Sequence, residues 1–342
     1  MNTNDLANIA RAMVASGKGI LAADESTGTI EKRFKSIGVD NAEENRRAYR
    51  DLLFTTKGLS ECISGVILYD ETLRQKSADG TSFPALLAKM GILPGIKVDA
   101  GAKDMALCPG ETVTEGLDGL ARRCAEYVKL GAKFAKWRAV ITIGGAGMPS
   151  AACITANAHA LARYAAICQA SGLVPIVEPE VLMDGAHTIE RCEEVTEWTL
   201  REVFAALADQ RVVLEHMVLK PSMVISGKEC AKQALVQEVA ARTLQTLKRT
   251  VPAAVPGIAF LSGGQSDELA TAHLDAMNKL GGAPWALTFS YGRALQHAAL
   301  TAWKGATANV ASAQRALHHR AHMNGRAALG QYRAEMEASK AA

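Results

Sequence analysis

The chain of 342 residues contains no apolar run near the ~18 residues that a membrane span requires. Its seven cysteines are odd in number, irregularly spaced, and form no C-x-x-C pair. That argues against a disulfide frame and for reduced thiols in a cytoplasmic protein. Met1 to Val14 holds Asp5 and Arg11 and no long apolar core, so no secretory signal is expected there. The last residues, Ser339 to Ala342, give no targeting address. Lysine and arginine total 38 against 35 acids, a net charge of +3, with both signs spread along the chain. No basic stripe exists, so neither nucleic acid nor a membrane surface is the expected partner. No G-x-G-x-x-G follows the first apolar run, Gly17-Lys18-Gly19 lacks the upstream glycine spacing of a Walker loop, and the eight histidines include no H-E-x-x-H. His318 and His322 are four apart on a polar helical stretch and are expected to be solvated. No catalytic metal and no cofactor are expected. No Pro/Ser/Gly-rich linker, charge block or internal repeat divides the chain.

What is present is a regular alternation. A helix over residues 4–15, with Asn4 as N-cap, opens the chain. Eight short apolar runs follow, at Gly19–Asp24, Gly65–Asp70, Gly95–Asp99, Phe134–Arg138, Val174–Glu180, Val212–Leu219, Ile258–Ser262 and Trp285–Ser290. Helical sequence separates each from the next. Strands that alternate with helices imply a parallel sheet, and eight units in about 250 residues is the arithmetic of a (β/α)8 TIM barrel. A doubly wound open sheet has similar alternation. The missing dinucleotide fingerprint, and polar groups at the ends of strands all round the set, favour the barrel. The expected organisation is one domain. The barrel spans about 19–305, with an extra N-terminal helix and a helical C-terminal tail, about 306–342, broken near Gly305 and Gly325.

Side chains two apart on a strand share a face. Lys136 and Arg138 therefore point one way, as do Glu178 and Glu180, and Lys97 and Asp99. Lys220 ends its apolar run immediately before Pro221, where a strand cannot continue its ladder. A single lysine at a strand tip can simply snorkel to the rim. Charged residues at five strand tips are harder to explain that way, because buried charge is costly unless paired. If these faces point inward, Asp24, Lys97, Lys136, Arg138, Glu178, Glu180 and Lys220 meet at one end of the barrel.

The residue types then suggest a chemistry. An amine attacks a carbonyl only when neutral, and a desolvated lysine beside a second cation loses its proton more readily. Lys220 with Lys136 or Arg138 across the barrel offers both conditions. The resulting iminium is an electron sink for carbon–carbon cleavage. Glu178 is the candidate proton donor for loss of water, with Glu180 as possible support, and Asp24 the candidate base for the leaving hydroxyl. Ser262-Gly263-Gly264-Gln265-Ser266 and Ser290-Tyr291-Gly292-Arg293 each open a helix. Backbone N–H groups and a helix N-terminus suit an anion there, and Arg293 adds a fork for phosphate oxygens. Lys32 and Arg33 form a second basic set after the first strand. They could meet a second phosphate or make a solvated helix face.

Seven stretches in order along the chain resemble the class I fructose-bisphosphate aldolases. They are Gly19–Ser26, Gly95–Asp99, Phe134–Arg138, Val174–Glu180, Leu219–Pro221, Leu261–Ser266 and Phe289–Leu295, and the resemblance runs from about Leu6 to Ala328. It implies a (β/α)8 barrel, usually a homotetramer, that cleaves fructose 1,6-bisphosphate to dihydroxyacetone phosphate and glyceraldehyde 3-phosphate without metal, in glycolysis and gluconeogenesis. It implies Lys220 as the Schiff-base lysine, Glu178 as its acid/base, and Asp24 and Lys136 at the cleaved bond. Ser262, Gly263, Gly292 and Arg293 would hold the ketone-end phosphate. Thr29 (often serine in the family), Lys32, Arg33 and Lys97 would lie toward the other. Arg138 and Ser290 complete the expected binding set. Animal members end in a tyrosine that assists proton transfer. This chain ends in Ala341-Ala342, and its nearest tyrosine is Tyr332. Two rival readings are a transaldolase-like Schiff-base enzyme acting on single-phosphate sugars, and a non-catalytic barrel scaffold.

Overall fold

The computed structural model describes residues 3–145 and 147–338, with side chains from residue 5 onward. The expected Asn4 side-chain cap, residue 146 of the glycine loop, and residues 339–342 lie outside that description. Helix α1 (Thr3–Met13) leads to β1 (Gly19–Ala23), α2 (Thr27–Lys35), α3 (Glu43–Phe54) and β2 (Ile63–Leu68). Next come α4 (Asp70–Arg74), α5 (Phe83–Lys89), β3 (Leu93–Lys97), the hairpin strands β4 (Ala102–Asp104) and β5 (Thr112–Thr114), and α6 (Leu120–Lys129). The chain continues through β6 (Phe134–Ile141), α7 (Ala151–Ala170), β7 (Val174–Val181), α8 (Ile189–Asp209), β8 (Val218–Leu219) and α9 (Val236–Thr250). It ends with β9 (Gly257–Phe260), α10 (Asp267–Leu280), β10 (Ala286–Tyr291), α11 (Arg293–Trp303) and α12 (Val310–Ala328).

Eight strands close a barrel in the order β1-β10-β9-β8-β7-β6-β3-β2, and every pairing in it is parallel. The expected (β/α)8 barrel is therefore the observed fold. The hairpin β4–β5 stands outside the barrel and was not anticipated. Its strands are short and polar, Ala102-Lys103-Asp104 and Thr112-Val113-Thr114, and carry no apolar alternation.

Two hydrophobic layers hold the barrel. The outer one fills the space between strands and helices, and Trp137 stacks on Tyr164 within it at 5.5 Å. The inner one contains Ile20, Ala22, Ile67, Phe134, Val174, Ile176, Val218 and Ala259, capped from below by Leu6, Ala10 and Met13 of α1. The Phe134 ring fills the floor so completely that a Cβ on Gly95 would collide with it.

Three expectations change. The strand leading to Lys220 does not span Val212–Leu219. Val213 is exposed, a short 3-10 turn occupies Leu214–His216, and only Val218–Leu219 join the sheet. Glu215 and His216 interrupt the apolar run, and the chain turns there. Helix α12 runs unbroken through Gly325. That glycine is a point of close approach, since a Cβ on it would lie 2.8 Å from the carbonyl oxygen of Gly17. His318 and His322 are half-buried with near-parallel rings 6.5 Å apart, because α12 packs one flank on α3. None of the described helices is long and apolar enough to cross a membrane.

Candidate active site

Strands β3, β6 and β7 carry their inward alternation from apolar at the bottom to charged at the top, and β1 and β8 are followed directly by Asp24 and Lys220. On β6 the inward series is Phe134, Lys136, Arg138, and on β7 it is Val174, Ile176, Glu178, Glu180. Register pairs Lys97 with Lys136 across β3 and β6, and Arg138 with Glu178 across β6 and β7. The parallel ladder thus lifts the charged residues to a common height. They line a cavity of about 540 Å³ at the C-terminal mouth.

Lys220 is 4% exposed, and its backbone N–H still donates to Val177 O at 2.8 Å. The sheet therefore fixes the lysine although the strand has ended. Its Nζ lies 3.1 Å from Glu178 Oε1, while Lys136 Nζ approaches Glu178 Oε2 at 3.5 Å and Asp24 Oδ2 at 2.6 Å. One buried carboxylate thus stands between two amines, with a second carboxylate beyond. Burial opposes ionisation of Asp24, but the charges of Lys136 and Lys220 outweigh it and hold the carboxyl down at about 2. Burial alone would lower the Lys136 pKa, but Asp24, then Glu178 and Asp99, raise it. Lys136 is held as a cation. Two buried polar atoms at the cavity wall, Glu178 Oε2 and Ser290 Oγ, lack a hydrogen-bond partner among the described residues. Such atoms are costly unless something binds there.

Arg138 is ion-paired with Glu180, and both line the cavity. Lys97 Nζ is held by Asp99 Oδ1 at 2.6 Å and Asp99 O at 2.8 Å. The turns after β9 and β10 meet as expected. Arg293 Nη2 donates to Gln265 O at 2.7 Å, joining the two turns. Gln265 is itself fixed by His273 Nδ1 at 2.6 Å, and burial pushes that imidazole down to about 4, so it is neutral. Gly263 adopts φ +56°, a left-handed conformation that glycine takes without cost. Ser262, Gly263, Gly292 and Arg293 all line the cavity.

Around the first strand the picture divides. Thr29 and Arg33 line the cavity; Lys32 does not and faces solvent on α2. Arg33 also lies closer to the β10 turn than the sequence suggested. A Cβ on Gly292 would be 3.7 Å from its Nη2. Sequence reasoning assigned no role to Glu25, Tyr69, Arg50, Gln296 or Met183. Tyr69 lines the cavity, and Met183 Sδ accepts the Gly264 N–H at 2.8 Å. Alternation carried a signal for Glu25: following Asp24, it must face away from the barrel axis and find partners on the surrounding helices.

Comparison with known proteins points to one family. The family model "Fructose-bisphosphate aldolase class-I" matches residues 5–342. A protein of Xanthomonas campestris pv. campestris named "Probable fructose-bisphosphate aldolase class 1" is 62% identical over 334 residues, 97% of this chain and 100% of that protein. "Fructose-bisphosphate aldolase 1" of Toxoplasma gondii is 58% identical over 329 residues, covering 96% and 91%. The aldolase of Plasmodium falciparum, solved as a ternary complex with TRAP and a small-molecule inhibitor, superposes with a TM-score of 0.96 at 53% identity, covering 97% of this chain and 96% of that one. The chain belongs to the class I fructose-bisphosphate aldolase family.

Proposed function

We infer that the chain is a carbon–carbon lyase that cleaves fructose 1,6-bisphosphate reversibly to dihydroxyacetone phosphate and glyceraldehyde 3-phosphate. The observation that carries the residue assignments is the buried Lys220–Glu178 contact at 3.1 Å, with Lys136 and Asp24 beside it. The neutral Lys220 amine adds to the C2 ketone. Glu178 delivers the proton that lets the carbinolamine hydroxyl leave as water, which yields the iminium. Asp24, ionised, takes the proton of the C4 hydroxyl. The C3–C4 bond breaks, its electron pair moves into the iminium to form an enamine, and the aldehyde departs. Lys136, held charged, steadies the oxygen at C4 as that bond breaks. Protonation at C3 and addition of water then return the amine and release the ketone. Glu178 is the group placed to carry these last protons.

The turns at Ser262–Gly263 and Gly292–Arg293 hold phosphate, and Ser290 offers its free hydroxyl. Thr29 and Lys97 serve the remaining anionic positions, and Arg33 lies within reach of the Gly292 turn. The iminium itself accepts the electron pair, so the reaction calls for neither metal nor cofactor, and a chelator should leave turnover unchanged. The chain works as a single domain in the cytoplasm, within glycolysis and gluconeogenesis. Its assembly is a homotetramer by likeness to the family.

Borohydride reduction in the presence of dihydroxyacetone phosphate tests the assignment. Peptide mass mapping should find the three-carbon adduct on Lys220. Mass on another lysine would sink the mechanism, and no adduct at all would favour a scaffold.

A further inference from the structure

At the rim of the cavity one carboxylate is shared by two guanidinium groups. Glu25 Oε2 accepts from Arg50 Nη2 at 2.6 Å, and Oε1 is ion-paired with Arg33 Nη1. Gln296 completes the cluster. Its Nε2 donates to Glu25 Oε1 at 2.9 Å and Ala22 O at 2.7 Å, and its Oε1 accepts from Arg50 Nη1 at 3.3 Å. The side chains of Glu25 and Arg50 are 5% and 3% exposed, that of Arg33 25%.

The charges do not balance within the cluster. One carboxylate against two guanidiniums leaves one positive charge over. Among the described residues Glu25 is the only carboxylate in ion-pair range of either arginine. A buried arginine stripped of its counter-ion is strongly unfavourable. Glu25 is therefore committed to Arg50, and Arg33 is the surplus cation. Arg33 is also the one that lines the cavity, with Nη2 turned toward Gly292.

We propose that Glu25 is a positioning residue that parks Arg33 as an exchangeable arm. In the free protein Arg33 rests on Glu25. A substrate phosphate at the Gly292 turn takes Arg33 over, while Arg50 keeps Glu25 neutralised. Glu25 and the phosphate thus compete for one guanidinium, which moderates phosphate affinity and eases product release. Burial pushes the Glu25 carboxyl up, yet Arg33 and Arg50 together hold it below the usual carboxylate range, so the competitor stays charged. The inference rests on the reading that phosphate binds at the Gly292–Arg293 turn.

The probe is orthophosphate, measured as a competitive inhibitor of fructose 1,6-bisphosphate cleavage. Glu25→Gln should tighten its inhibition constant roughly three- to tenfold, since a unit charge a few ångströms away is removed. General damage to the site would weaken it instead. Arg33→Ala should weaken inhibition, and most of the gain from Glu25→Gln should vanish when added to Arg33→Ala. No change or weaker inhibition in folded Glu25→Gln overturns the proposal. If that variant fails to fold around an orphaned Arg50, wild-type crystals soaked in orthophosphate decide. Arg33 on the phosphate with Arg50 still on Glu25 supports the exchange. Bound phosphate with Arg33 still on Glu25 overturns the exchange and leaves the phosphate turn standing. No phosphate at Gly292 and Arg293 removes both.

Discussion

The floor and the mouth of this barrel are built from the same inward positions on the same strands. On β6, Phe134 is floor and Lys136 is mouth; on β7, Ile176 is floor and Glu178 is mouth. The floor residues touch one another and contribute stability through packing. The mouth residues are almost as buried, Lys136 and Lys220 at 4% and Glu178 at 3%, yet they are ionisable, and one oxygen of Glu178 has no hydrogen-bond partner among the described residues. Two residues along a strand thus separate a site that favours folding from one that costs it. Such a cost is tolerated where chemistry needs desolvated charge.

Variants on either side should break this contrast in opposite ways. The largest effect is expected from Lys220→Met, which should lower turnover more than about 10³-fold and abolish borohydride trapping, while the denaturant midpoint stays or rises. A marked loss of stability with trapping retained would reverse the roles of the two layers. Glu178→Gln should cost about 10²- to 10⁴-fold in turnover, with substrate KM less affected. On the floor, Phe134→Ala should cost about 3–5 kcal/mol in urea unfolding while the remaining folded protein still traps the adduct. Asp24 sharpens the comparison through pH. Its folded pKa of about 2 lies below the ordinary 3.8, so its ionised form stabilises the fold above about pH 4, and that contribution fades as pH falls toward 2. Unfolding at pH 5 and at pH 2 should show a difference about 2 kcal/mol smaller in Asp24→Asn than in the parent. The smallest effect is expected from Lys32→Ala. Its solvent-facing position predicts a change in KM below about twofold, because an exposed charge is screened.

Much of this was legible in the sequence. The period-2 alternation of Lys136-Trp137-Arg138 gave the side on which each residue lies, and the stack of Trp137 on Tyr164 bears it out. The barrel followed from strand count and alternation. The β8 strand was overread because Val212-Val213-Leu214 looks like a buried run, whereas tertiary packing leaves Val213 outside. Gly325 was read as a helix break, but glycine in a helix can equally mark where another backbone presses close. The partners of the charges could not be read from spacing. Glu25, Arg50 and Gln296 are distant in sequence and meet only because β1, α3 and α11 converge at the rim. Sequence order likewise put Lys32 and Arg33 together, although neighbours on a helix point about 100° apart and only Arg33 reaches the cavity.

Helix α1 seals the bottom of the barrel with Leu6, Ala10 and Met13. The cavity is therefore a cul-de-sac, and everything that enters or leaves shares one doorway. In the mechanism proposed above, a ketone fragment tethered to Lys220 must wait while the aldehyde passes out above it, and the water that frees the tether must come in by the same route. The order of departure is thus set by architecture as well as by chemistry: whatever is bonded to the wall goes last.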